Sequence, residues 1–77
     1  MIYVETIDPG QVHWSRRSEH RSLAAAVRAL RRAGGAEVRL AAPWRTLDAL
    51  LASGELVYNP STGGHVSPAH ELVVEPT

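Results

Sequence analysis

Two blocks of helical periodicity sit among segments that alternate every second residue. No fold built from helices alone or strands alone accommodates both periods. The first block is SEHRSLAAAVRALRRAGG. Leu23, Ala26, Val27, Leu30 and Ala33 share one helical face, and Arg21, Arg28 and Arg32 fall opposite them. Ser18 or Ser22 can cap its start, and Gly34-Gly35 supplies the stop. The second block is PWRTLDALLASG. It begins at Pro43, or at Thr46 as N-cap with Asp48 in the first turn, and Gly54 ends it. Its apolar face is Trp44, Leu47, Leu50 and Leu51, a spacing that predicts Trp44 in the core.

The remaining segments read as strands. IYVETI and QVHWSRR alternate on either side of Asp8-Pro9-Gly10, a turn tripeptide, and predict a hairpin over residues 2–7 and 11–17. In that hairpin Val12 and Trp14 face the core, with His13 and Ser15 on the other side. AEVRLAA is a third strand with Val38 and Leu40 inward, and ELVY a fourth. NPSTGG is a loop, and HVSPAHELVVE is a broken strand or two short ones, because Pro68 interrupts the ladder. The order is β-β-α-β-α-β-β, an α+β fold of two layers: a small antiparallel or mixed sheet packed with two helices. A winged helix is the competing parse, but it needs a third helix where strand signals precede Leu23.

At 77 residues the chain is expected to form one small domain, residues 1–77, with a modest core. There is no cysteine, so neither a disulfide nor a thiolate metal site is available, which agrees with a cytoplasmic home. The apolar runs are far too short to span a membrane, and Glu5 stands where an export signal would carry positive charge. Net charge is zero, yet unevenly laid out. All eight basic residues are arginines within residues 16–45, where only Glu19 and Glu37 oppose them. Residues 46–77 carry Asp48, Glu55, Glu71 and Glu75 and no arginine or lysine. Such segregation marks a surface for nucleic acid or an acidic partner, or else folds into internal ion pairs.

Catalytic chemistry finds little support. There is no nucleophile elbow, and Gly63-Gly64 lacks the length and the lysine of a phosphate-binding loop. His13, His20, His65 and His70 lack the spacing of a zinc site, so no metal and no cofactor is assigned. The chain therefore reads as a non-enzyme. Its candidate partner-binding residues are Arg16, Arg17, Arg21, Arg28, Arg31 and Arg32, whose planar guanidinium forks suit carboxylates and phosphates alike.

The expected function is a small binding protein, monomer or homodimer, that inhibits or modulates a partner protein or a protein–nucleic-acid complex. In length and in its lack of enzyme motifs the chain resembles the small inhibitors that phages encode against host defences, such as anti-CRISPR proteins. The resemblance is one of class, carries no residue assignment, and implies action in a host cytoplasm. The alternatives are a nucleic-acid-binding regulator, winged-helix-like, that sets the basic region 16–45 against phosphates, and a subunit stable only in an oligomer.

Overall fold

In the computed structural model, which describes residues 1–34, 37–61 and 63–77, eight elements follow one another. They are β1 (Ile2–Ile7), β2 (Arg16–His20), α1 (Leu23–Arg32), β3 (Glu37–Ala42), α2 (Trp44–Ser53), β4 (Val57–Asn59), β5 (Gly64–Ser67) and β6 (Leu72–Pro76). The strands form one six-stranded mixed sheet in the order β2-β1-β3-β6-β5-β4. Its neighbours are antiparallel except β3 and β6, which run parallel. The broken strand at the C-terminus thus resolves into two, with Pro68 in the turn between them. Gly35, Ala36 and Thr62, expected in the helix stop, the third strand and the loop, lie outside the described residues.

The core explains the two layers. Alternation puts Ile2 and Val4 of β1, Leu40 and Ala42 of β3, and Val74 of β6 on one sheet face. Against them pack Leu23, Ala26 and Val27 of α1 and Leu47 and Leu50 of α2, with Leu56 beyond the second helix. Both helices therefore cover the same face. The opposite face of the sheet has no helix among the described residues. Neither helix is long and apolar enough to cross a membrane.

Each helix ends for a local reason. Ser22 caps α1, its Oγ accepting a hydrogen bond from the Ala25 N–H at 3.1 Å, and Arg31 and Arg32 occupy the last turn, where the dipole favours cations. Of the two serines considered as caps, Ser18 instead lies in β2. Pro43 precedes α2 without a side-chain cap, and Gly54 closes it in the left-handed region at φ 85°. Leu30 is only partly buried, unlike Leu23, Ala26 and Val27. Leu30→Ala should therefore cost about 2 kcal/mol, the low end for a core truncation, in a urea melt. A loss above about 4 kcal/mol would place Leu30 in the centre of the core.

Two expectations need correcting at the first hairpin and the second helix. The turn forms as read, with the Gln11 N–H donating to the Asp8 carbonyl at 3.0 Å and Gly10 at φ 83°. Pairing resumes only at Arg16, opposite Thr6, so residues 11–15 are loop rather than strand. The strand arrives late because β2 is an edge strand with no buried side, so its sequence shows no apolar alternation. Val12 is consequently 86% exposed, and Trp14 leaves the core for a guanidinium on the open sheet face. Trp44 is the other correction: it is 56% exposed, because the first residue of α2 overhangs the edge of the core.

Candidate functional site

The six arginines singled out from the sequence separate into two groups. Arg16 and Arg17 are committed to carboxylates. Arg16 Nε stands 3.1 Å from Asp8 Oδ2. Arg17 donates from Nε and Nη2 to Glu5 Oε2 at 3.1 and 2.9 Å, and its guanidinium lies 4.7 Å from the Tyr3 ring centroid. Arg21, Arg28, Arg31 and Arg32 are exposed, and no described carboxylate lies within ion-pair distance of any of them. α1 itself contains no acidic residue. Arg28 and Arg32 project within about 40° of one another, away from Leu23 and Val27, and Arg31 flanks them, four residues after Val27 on the helix. Arg31 and Arg32 have a local role at the helix C-terminus, worth about 0.3–1 kcal/mol each. Arg21 and Arg28 have none that the fold supplies.

The open sheet face holds a network that the sequence did not single out. Glu5, at the middle of β1, pairs across the ladder with Arg17 of β2 and with Arg39 of β3. Its carboxylate is 5% exposed and takes one arginine on each oxygen, with Arg39 Nε 3.0 Å from Oε1. Arg39 also reaches Glu75 Oε2 at 3.4 Å and lies 4.1 Å from the Trp14 ring centroid. Alternation would have put Glu5, Arg17 and Arg39 on one face had the strand register been known. Beside this network the same face carries Val73, Val66 and Val57, of which Val73 and Val57 are exposed.

A second aromatic cluster lies on the helix side. His65 stands between Trp44 and Tyr58, at 5.7 and 5.9 Å between ring centroids and steeply inclined to both. The other histidines are spread out. His20 Nε2 lies 2.9 Å from Ser18 Oγ, His70 Nδ1 lies 3.1 Å from Ser67 Oγ, and His13 is exposed in the first loop. Among the described residues no three His, Cys, Asp or Glu side chains gather as a metal-binding group. The Ser67–His70 contact has the composition of a nucleophile and base, but Ser67 is wholly buried. It closes the β5–β6 turn instead, where the Glu71 N–H donates to the Ser67 carbonyl at 2.7 Å and Glu71 adopts φ 56°.

No family model, no curated protein and no solved structure matches this chain.

Proposed function

We propose that the chain is a small non-enzymatic binding protein that inhibits or modulates a partner protein, or a protein–nucleic-acid complex, through the arginine face of α1. One observation carries this reading. Arg21, Arg28, Arg31 and Arg32 are exposed with no carboxylate of the described chain to neutralise them, whereas Arg16, Arg17 and Arg39 are paired. An unpaired guanidinium row is a standing attraction for carboxylates or phosphates, and arginine favours the bidentate geometry of both. The size of the chain fits a protein that acts by occupying a surface, such as a phage-encoded inhibitor of host defence working in the host cytoplasm.

Protein carboxylates are the preferred counterpart because the whole molecule is neutral and its other half is acidic, so extended polyphosphate would be repelled beyond α1. Direct nucleic-acid binding is the second reading, favoured by the same arginine row but without a winged-helix frame to present it. The test is affinity capture from a host lysate with the wild-type chain and with Arg28→Glu/Arg32→Glu. The reversal should keep the melting temperature and lose the captured protein; retention of that protein would move the working surface elsewhere. Fluorescence anisotropy with labelled single-stranded and duplex DNA runs beside it. Micromolar binding that collapses with salt would promote the phosphate reading.

A further inference from the structure

The sheet ends in β2 on one side and β4 on the other. β4 offers three residues, Val57–Asn59, whereas β2 runs through five, from Arg16 to His20, all paired with β1. No described strand lies on the outer side of β2, and Arg16, Arg17, Ser18 and Glu19 are all exposed. The strand contains no proline to block further pairing. Such an edge presents backbone N–H and C=O groups that another strand can take up. We propose that β2 is the contact strand of a homodimer, pairing antiparallel with β2 of a second copy about a twofold axis at Ser18.

Charge selects both the occupant and the register. The strand is RRSEH. Laid antiparallel on itself about Ser18, it sets Arg17 opposite the partner's Glu19, and Glu19 opposite the partner's Arg17. Opposite charges in directly facing positions attract, and like charges repel. Moving the axis by one residue either way sets Arg17 against itself or Glu19 against itself. Arg17 and Glu19 stand two apart, so both lie on the open sheet face, where Arg17 meets Glu5. Glu19 forms no ion pair among the described residues. Arg17 donates to Glu5 from Nε and Nη2, which leaves Nη1 for a second carboxylate. Glu5 and the Tyr3 ring already hold that guanidinium in place, so little order is lost when it meets the second copy. On the helix side Ser18 meets Ser18, and Arg16, balanced by Asp8, meets His20. Strands of other sequence would meet these same charges without the matching partners.

The arginine face of α1 takes no part in this contact, so the dimer and the proposed function fail independently. Sedimentation velocity at about pH 8, where imidazoles are largely neutral, is run from roughly 10 µM to 1 mM protein. It should show a monomer–dimer equilibrium with a Kd of roughly 100 µM. Glu19→Arg makes both facing pairs repulsive and should weaken the dimer roughly tenfold or more, and Glu19→Gln roughly threefold. Asp48→Arg makes the same change of charge at an exposed position of α2 and should leave the dimer intact. Single cysteines report the register, because the chain has none of its own. Ser18→Cys stands on the axis, facing its own copy at about disulfide reach, and should oxidise to a covalent dimer. Val12→Cys, exposed in the first loop, should cross-link far more slowly. A chain still monomeric at the top of that concentration range overturns the proposal. So does a dimer that Glu19→Arg leaves intact, or that Asp48→Arg weakens equally. Equal cross-linking of the two cysteines would place the contact elsewhere and overturn it as well.

Discussion

Leu47→Ala is expected to remove about 3–5 kcal/mol of folding stability. A domain of 77 residues holds only roughly 4–12 kcal/mol in total. The variant should therefore melt some 15–30 °C below the parent or be partly unfolded at room temperature. The size of the effect follows from how α2 is held. α1 has a serine cap and two arginines at its C-terminal end. α2 has neither: Pro43 makes no side-chain cap bond, and no charge complements its first or last turn. Ten residues with so little local support form a helix only by burying a face. Leu47 is the wholly buried residue at the centre of that face, beside Leu50. Thermal and urea melts by circular dichroism would measure the loss. A cost below about 1 kcal/mol would mean that α2 does not rest on the sheet as described.

Periodicity located the helices because each buries a stripe and exposes the rest. Leu23, Ala26 and Val27, and then Leu47 and Leu50, are read from spacing alone. Pro68 and the turn at Asp8-Pro9-Gly10 were equally legible, since both act through local backbone geometry. The failures share one cause. Apolar alternation reports burial, and the edge strand β2, RRSEH, buries no face. Val12 and Trp14 alternate with polar neighbours, so they drew the predicted strand forward into what is loop. Trp44 keeps helical spacing with Leu47, but a residue at a helix end can share the stripe and still overhang the core.

The candidate surface was legible only to the level of composition. The sequence shows arginines gathered in one half of the chain, but which of them are spoken for depends on register. Glu5 meets Arg17 twelve residues away and Arg39 thirty-four residues away, because β1 lies between β2 and β3. No local pattern encodes that. Register likewise brings Tyr58 to His65 across the β4–β5 ladder, while the α1 arginines form no ion pair among the described residues.

The Glu5 network gives the second large effect, and its signature is non-additivity. Arg17→Ala alone should cost about 1 kcal/mol, since Arg17 is half exposed and Arg39 still holds the carboxylate. Arg39→Ala should cost somewhat more, because it also gives up Glu75 and the Trp14 stack. Removing both leaves a carboxylate that is 5% exposed with no cation, and the double variant should lose about 3–5 kcal/mol, more than the singles together. Glu5→Leu is the informative counterpart. It removes the buried charge itself and lets both guanidinium groups turn to water, so it should be milder than the double arginine variant. Urea denaturation of the four variants at neutral pH measures the cycle. Additivity within about 0.5 kcal/mol would mean that water or backbone, and not the two arginines, satisfies Glu5. A coupled loss would establish that the open sheet face is locked by its own charges. Arg17 and Arg39 would then be fixed parts of the scaffold, in contrast to Arg28, Arg31 and Arg32, which form no ion pair among the described residues.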